Sequence, residues 1–444
     1  MGARQRRLRH PPAFPATEAK ISLNEQSLLE LIRREAHAAR AAVPLLDDEA
    51  VRETLIVAGG RLVDERHRIL KANAADVAAA GEQLDGGSRD RLLLNIERLE
   101  EMGEQLRELA MLPPLERETE ARTLDNGLAV SVRRIPIGVV GANFEARPNV
   151  AVDIAAQLLK SLNACVLRTG AAALGTVTVL VDDVLRPSLL DAGLPASAVG
   201  LVRTTERAGA FALVSLPREV PLVILRGSGA TTAALTQVAA ANGVRTLAHA
   251  EGGGVLYLDE DANLDRARGL LLASLDRLGV CNRLNLLLVH QGIATSLPSL
   301  IELLKENGVA VRGTERACAS TSMLPLDRPL GHEWASEPAR IATVTVDTVA
   351  SLAEAVVIAN DETSGLAAGI VTENAAAAAE FLDTYRGTAA FWHAPTRFND
   401  GFALTGAPET GINVEWAPGP RGPVTYRDLW LRQLRVIGDG TQHR

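Results

Sequence analysis

Residues 134–160 read RIPIGVVGANFEARPNVAVDIAAQLLK and decide the fold class of this chain. The apolar run Ile137–Gly141 has the composition of a buried strand. The polar residues that follow it lead into a stretch, 150–162, with apolar residues at helical spacing. A buried strand followed directly by a helix predicts the strand–helix–strand unit of a parallel sheet.

The same alternation continues towards the C-terminus, whereas the N-terminal part of the chain is predicted to be helical. Residues 24–110 are predicted to be helices, including 27–42, 47–74 and 88–109. Further strands of a first sheet are predicted at 165–168, 199–203, 222–226 and 245–249, and strands of a second sheet at 255–258, 285–290, 341–346, 369–372 and 389–392. Three strands of the first sheet end in arginine (Arg168, Arg203 and Arg226) and one ends in His249. This indicates either an anion-binding edge or simply the place where polar residues begin.

Composition restricts the function classes. The 444-residue chain is 47% hydrophobic with a formal net charge of −8, which is typical of a folded protein and argues against a nucleic-acid partner. Three scattered cysteines have no disulfide or metal-ligand spacing, so no metal site is predicted. No apolar run reaches the roughly 20 residues of a membrane helix, and we expect a cytoplasmic protein. Residues 1–20 are predicted to be a disordered leader, with a transit peptide as the alternative.

Cys281 is the candidate nucleophile. It stands between a predicted helix (264–278) and the strand that begins at Asn285, where a substrate could reach it. A lone cysteine is more often a small buried residue, so its position alone leaves both interpretations open. Cys165 opens a predicted strand and is assigned to packing. A Gly227-Ser228-Gly229 turn before a helix suits a phosphate, although no GxGxxG fingerprint is present.

Nine short segments carry a family resemblance in matching order and spacing: residues 90–92, 126–128, 136–141, 145–150, 279–282, 334–337, 396–402, 421–423 and 438–440. Over about residues 25 to 441 the chain resembles the γ-glutamyl phosphate reductases, or glutamate-5-semialdehyde dehydrogenases, of the aldehyde dehydrogenase superfamily. The resemblance implies an α/β fold with two doubly wound parallel-sheet lobes and a small β oligomerisation flap. It divides the chain into a nucleotide-binding domain (21–123 and 135–254), a catalytic cysteine domain (255–422) and the flap (124–134 and 423–440).

The implied reaction is the NADPH-dependent reduction of L-glutamyl 5-phosphate through a thioester on Cys281, in proline biosynthesis. Asn149 is the expected amide donor to the oxyanion, and Asn143 is a rival in the same loop. His249 falls where hydrolytic aldehyde dehydrogenases place their general-base glutamate, and Glu251 keeps a hydrolytic reaction open. Arg147 and Arg397 are the expected ligands of the substrate's phosphate or carboxylate.

The resemblance also assigns the cofactor residues. Arg168 is expected at the adenosine ribose or its 2′-phosphate, Gly227 and Ser228 near the pyrophosphate, and Glu337 at the nicotinamide ribose. An arginine suits a 2′-phosphate, which favours NADPH over NADH. The expected partners are a small acyl phosphate, further copies of the chain in a homo-oligomer, and a separate glutamate kinase, without a membrane.

Two positions depart from the family pattern. Ala172 stands where a ribose-binding glutamate is usual, and Leu366 stands where a histidine is usual. These departures favour an alternative, namely a related reductase or dehydrogenase acting on a different acyl phosphate or aldehyde in a specialised pathway. A third hypothesis is a non-catalytic relative kept for binding, against which the joint presence of Cys281, Asn149 and Glu337 argues.

Overall fold

The computed structural model describes residues 23–81, 86–227, 229–249, 252–277, 280–319, 321–337, 341–417 and 419–443. Helices come first, and two strands follow them: α1 (Leu23–Ala42), α2 (Asp48–Asp64), α3 (Arg66–Ala80), α4 (Gly86–Leu92), α5 (Ile96–Met111), β1 (Arg122–Thr123) and β2 (Ala129–Pro136). The helix predicted over 88–109 is two helices, because Asn95 has an extended backbone and caps α5 by accepting a hydrogen bond from Arg98 N. The helix predicted over 47–74 is also divided, at Glu65.

The first parallel sheet has the strand order β5-β4-β3-β6-β7 in the described residues. Its strands and helices are β3 (Val139–Phe144), α6 (Pro148–Lys160), β4 (Ala164–Thr169), α7 (Leu174–Val179), α8 (Arg186–Asp191), β5 (Val199–Leu201), α9 (Ala208–Leu213), β6 (Leu222–Arg226), α10 (Gly229–Asn242) and β7 (Arg245–His249). Arg226 pairs in register with Phe144 and with His249, so these strand ends lie at one edge of the sheet. Arg203 lies two residues beyond β5.

The second parallel sheet has the order β11-β10-β12-β9-β8-β13-β14. Its elements are β8 (Gly254–Leu258), α11 (Leu264–Ala273), β9 (Leu284–His290), α12 (Leu297–Glu306), β10 (Ala310–Gly313), α13 (Glu315–Cys318), β11 (Leu324–Pro325), β12 (Thr343–Val349), α14 (Leu352–Asp361), β13 (Ala367–Val371), α15 (Ala375–Thr384), β14 (Ala390–Trp392) and α16 (Gly401–Thr405). Helix α11 ends at Ala273, five residues before the predicted end.

Each sheet has an apolar core on both faces. In β9, the side chains of Leu287 and Val289 belong to one core and those of Leu286 and Leu288 to the other. Burial on both faces explains why these strands read as continuous apolar runs rather than as an alternating pattern. No helix among the described residues is long and apolar enough to cross a membrane.

The last strands are β15 (Gly411–Asn413), β16 (Gly422–Val424) and β17 (Trp430–Ile437). Strand β17 pairs antiparallel with β2 from Trp430 opposite Pro136 to Ile437 opposite Ala129. Together with β1 they form a three-stranded antiparallel sheet, β1-β2-β17. The two segments of the predicted flap therefore pair with each other within the chain.

The two parallel sheets are joined so that the carboxyl edge of the first faces the amino edge of the second. Strand β7 ends at the carboxyl edge of the first sheet, and β8 begins five residues after His249. Chain segments that lead into β8 and β9 therefore lie at the amino edge of the second sheet. This junction brings the loops after β3 and β6 towards the segment that carries Cys281.

Candidate active site

Cys281 lies in the loop that leads into β9. Its carbonyl oxygen accepts a hydrogen bond of 2.7 Å from Gly253 N, and Arg283 O accepts one of 2.7 Å from Gly254 N. These bonds extend the pairing of β8 with β9 back to the thiol residue. A Cβ atom on Gly252 would lie 2.4 Å from Cys281 Cβ, so only glycine fits beside the thiol residue.

The facing loop comes from the end of β3. Glu145 N donates a hydrogen bond to Arg226 O at 3.2 Å, which ties the end of β3 to the end of β6. Ala146 has a φ of 35°, in the left-handed region that costs a non-glycine residue about 1 kcal/mol. This sharp turn sets Arg147 immediately before α6, whose first turn holds Asn149.

Charged groups from four segments act on the thiol. Burial, and after it the carboxylates of Glu333 and Glu409, raise the pKa of Cys281 to about 11. The guanidinium groups of Arg226 and Arg147 oppose this rise. The free site therefore holds a protonated thiol near neutral pH, and its nucleophilic form requires a proton acceptor.

Arg147 and Arg226 form a cationic pair beside the thiol. Burial and the charge of Arg226 lower the pKa of Arg147 to about 10. Arg226 Nη1 donates one hydrogen bond of 2.8 Å to Thr410 O. We call the space between the Cys281 loop and the loops after β3 and β6 the crevice. Two partly dehydrated guanidinium groups that repel each other there favour a bound anion.

The structure separates the two candidate amides. Asn143 is 2% exposed, and its Oδ1 accepts a hydrogen bond of 3.1 Å from Arg168 Nη1. Asn149 is partly exposed, and its Nδ2 donates to Asp153 Oδ2 at 3.1 Å. An amide group can donate two N–H bonds, so Asn149 keeps one for a ligand in the crevice.

Arg397 holds the thiol loop. Its Nε donates to Asp276 Oδ1 at 2.6 Å, and its Nη1 donates to Asn282 Oδ1. Asn282 Nδ2 returns a hydrogen bond of 3.0 Å to Arg397 O. The guanidinium of Arg397 is thus engaged with the residue after Cys281, and its role as a ligand of the substrate stays a prediction.

Arg168 is 5% exposed and lies near the carboxyl end of β4, at the edge of the first sheet. Its Nη2 donates to Glu206 O at 2.9 Å, while its Nε is buried and has no hydrogen-bond partner among the described residues. Burial lowers the pKa of Arg168; the carboxylate of Glu145 opposes this shift, and the charge of exposed Arg207 adds to it. This part of the edge combines an unpaired N–H donor with a second cation.

Two other predicted cofactor residues, Gly227 and Glu337, have contacts in the described part of the chain. A Cβ atom on Gly227 would lie 3.1 Å from the Glu145 carboxyl carbon, so this glycine lies closely against Glu145. Glu337 Oε1 is 2.7 Å from His332 Nε2. Ser228 and Glu251 lie outside the described residues, and of His249 only the backbone, at the end of β7, is described.

A nicotinamide dinucleotide fits the residues at this edge. The chain proceeds from β3 to β4 and β5 on one side and then returns to β6 and β7 on the other, and nucleotides bind at such a reversal. The free Nε of Arg168 and the charge of Arg207 suit an anionic ribose phosphate. No three His, Cys, Asp or Glu side chains come together as a metal site in the part of the chain described.

Three charged residues of the site were not among the predicted site residues. Arg226 had a signal, since it is one of the strand-end arginines. Glu333 stands immediately before the 334–337 segment, and Glu409 lies in the loop after α16. Neither carboxylate had a local signal, because their approach to Cys281 depends on how distant segments fold together.

The two departures from the family pattern lie at buried or partly buried positions. Leu366 is fully buried immediately before β13. Ala172 is partly buried and packs against the core of the first lobe. Neither side chain therefore supplies a reason to assign a different substrate.

Comparisons with known proteins agree with this architecture. Residues 8–321 match the aldehyde dehydrogenase family. A γ-glutamyl phosphate reductase of Koribacter versatilis is 35% identical over 415 residues, or 92% of this chain and 98% of that protein. One of Moorella thermoacetica is 36% identical over 394 residues, or 87% and 92%.

Solved structures show the same similarity. The γ-glutamyl phosphate reductase of Thermotoga maritima superposes with a TM-score of 0.85 at 28% identity, over 95% of this chain and 100% of that one. An engineered glycolyl-CoA reductase with bound NADP⁺ shares the fold, with a TM-score of 0.65 at 18% identity over 91% of this chain and 96% of that one. The predicted fold class is confirmed.

Proposed function

We propose that this chain, which belongs to the aldehyde dehydrogenase family and within it to the γ-glutamyl phosphate reductases, reduces L-glutamyl 5-phosphate to L-glutamate 5-semialdehyde and releases phosphate, in proline biosynthesis. The observation that carries the proposal is a thiol, Cys281, beside the two guanidinium groups of Arg147 and Arg226. An acyl phosphate requires a strong nucleophile at carbon and cations for the phosphate that leaves.

In the first step, Cys281 Sγ attacks the acyl carbon. The carbon–sulfur bond forms, the bond from carbon to the phosphate oxygen breaks, and the thiol proton passes to a base. We assign Glu333 as this base, because its carboxylate has the largest effect of any charge on the thiol. Arg147 and Arg226 stabilise the phosphate as its charge grows.

Asn149 is our assignment for the side-chain donor to the oxyanion, with the backbone N–H of Cys281 as the second donor. It lies in the first turn of the 13-residue helix α6. The positive end of the helix dipole adds to the stabilisation of a negative oxygen there. By resemblance, His249 occupies the position of a general-base glutamate. We propose that this replacement protects the thioester from attack by water.

The chain uses a nicotinamide cofactor, which supplies the hydride that reduces the thioester carbonyl when it is bound. Arg168, Gly227, Ser228 and Glu337 remain our assignments for its binding, and the carboxylate of Glu337 contacts His332 at 2.7 Å. When the reduced carbon releases sulfur, Cys281 regains a proton and the aldehyde leaves.

We assign NADPH as the cofactor rather than NADH. Arg168 and Arg207 supply positive charge at the edge where the adenosine ribose is expected. Ala172, in the position where relatives carry a glutamate, removes a carboxylate that would repel a 2′-phosphate. Charge at this edge thus favours the phosphorylated ribose.

We also assign a homo-oligomer assembled through the flap. Strand β17 is an edge strand of its sheet, and its apolar side chains Leu431, Leu434, Val436 and Ile437 are at least 50% exposed. Edge strands with exposed apolar residues favour pairing with another strand. We also propose that a separate glutamate kinase supplies the acyl phosphate and that the reaction takes place in the cytoplasm.

The test is NADP⁺ reduction with glutamate 5-semialdehyde, in the presence of phosphate, CoA or water alone, for the wild type and Cys281→Ala. Turnover that requires phosphate and disappears in Cys281→Ala is the expected result. Turnover with other aldehydes but not with this one would move the assignment to a related dehydrogenase. No turnover with any acceptor would favour a binding protein.

A further inference from the structure

Asp153 is a titratable group of the crevice to which the reaction above gives no role. It lies four residues after Asn149, one turn further along the same face of α6. Its Oδ2 accepts the hydrogen bond of 3.1 Å from Asn149 Nδ2. The carboxyl group therefore contacts the side chain that we assign to the oxyanion.

The charges around Asp153 are also those around the thiol. The guanidinium of Arg226, at the end of β6, favours its carboxylate form, and the carboxylate of Glu409 opposes it. Arg226 and Glu409 act in addition on Cys281. Arg147 precedes the first turn of the same helix. Asp153 and Cys281 thus lie around one shared cluster of charged groups.

A carboxylate can fix which way round an amide group stands. It only accepts hydrogen bonds, so the Nδ2 end of Asn149 must face Asp153 and the Oδ1 end must turn away. In that orientation the second N–H of Nδ2 is available to a ligand. A protonated carboxyl group can also donate to Oδ1, and the opposite orientation then becomes equally acceptable.

We propose that Asp153 is a positioning residue that holds the amide of Asn149 in the orientation that donates to the oxyanion, and that it does so only as a carboxylate. The proposal rests on the proposed function in one respect, namely that Asn149 serves an oxyanion at Cys281. It does not depend on the identity of the acyl group.

The carboxyl group titrates in the neutral range. Burial raises the pKa of Asp153 from its ordinary 3.8 to about 7. The orientation of Asn149 is therefore fixed above pH 7 and released as the pH falls below it. The folded state binds this proton more tightly than the unfolded state does. Protonation of Asp153 therefore stabilises the folded state. This stabilisation is complete below about pH 4 and is lost as the pH rises through 7.

The test compares two reactions of the same thiol in the apo-protein. 4-Nitrophenyl acetate acylates Cys281 through a tetrahedral oxyanion, whereas iodoacetamide alkylates it without one. For Asp153→Asn we expect acylation about tenfold slower than wild type at pH 8.5, which is less than the 10²–10³-fold loss typical of removing an oxyanion donor outright. Alkylation should stay within about twofold, because displacement at a methylene carbon develops no oxyanion.

The pH dependence gives a second readout. The ratio of wild-type to Asp153→Asn acylation rates should rise from about one at pH 5.5 to about ten at pH 8.5, since protonated Asp153 also leaves the amide free. Dividing each protein's acylation rate by its own alkylation rate at the same pH cancels the titration of the thiol itself. Asp76→Asn, which alters a carboxylate bonded to Thr176 in the α3–α7 contact, is the control and should change neither rate.

Other outcomes would overturn the proposal. Equal slowing of acylation and alkylation would show a general structural effect. An unchanged acylation rate in both Asp153→Asn and Asn149→Ala would show that neither side chain serves the oxyanion. Failure of glutamate semialdehyde as a substrate would overturn only the proposed function, because the ester assay proceeds without it.

Discussion

The thiol of Cys281 allows a quantitative prediction about charge in the crevice. Burial and Glu333 raise its pKa from 9.0 to about 11. A thiol whose pKa is about two units higher has a thiolate fraction at pH 8 that is about 100-fold smaller than that of an ordinary cysteine. Wild-type Cys281 should therefore be alkylated by iodoacetamide about 100-fold more slowly than a small-molecule thiol with a pKa near 9.

Substitutions of the neighbouring charges should move this rate in opposite directions. Glu333→Gln removes the charge that disfavours the thiolate most, and the rate at pH 8 should rise. Arg226→Met removes the charge that favours it most, and the rate should fall. Because burial is the largest cause of the shift, each change should stay within about tenfold.

The assay is the rate of iodoacetamide labelling of the Cys281 peptide by mass spectrometry, from pH 7 to 10.5. Peptide resolution is required because Cys318 is partly exposed, whereas Cys165 is fully buried. Arg268→Met, on α11, removes an exposed cation paired with Asp265 and serves as the control. Wild-type labelling at pH 8 as fast as the free thiol, or equal shifts in the two variants, would refute the reasoning.

Three further predictions follow from particular contacts. Gly252→Ala should lower kcat by at least tenfold, because its Cβ would lie 2.4 Å from Cys281 Cβ; steady-state kinetics checks this, and normal turnover would contradict the packing. Arg397→Met should lower the free energy of unfolding by about 1–3 kcal/mol, through loss of its bonds to Asp276 and Asn282, measured by urea denaturation against wild type. Leu434→Lys, on β17, should shift the protein to a smaller assembly in light scattering without loss of folding, and an unchanged mass would exclude this face as the contact.

Local pattern alone determined most of the secondary structure. Strands that are buried on both faces read as continuous apolar runs, and for β6 and β7 the predicted bounds, 222–226 and 245–249, are those of the structure. The ends of helices were harder to predict. Asn95, for example, caps a helix within a stretch whose apolar spacing continues without a break. Cys281 and the segment around Asn149 were also identified from sequence, since family resemblance is carried by contiguous residues.

Only the tertiary structure decided which side chains meet. Cys281 and Arg147 are separated by 134 positions, and they come together because the carboxyl edge of one sheet faces the amino edge of the other. That arrangement brought Arg226, Glu333 and Glu409 to the thiol. It also buried Asn143 against Arg168 and left Asn149 in the crevice. Sequence periodicity reports which face of an element is buried, whereas contacts between distant segments depend on strand order and on the path of each loop.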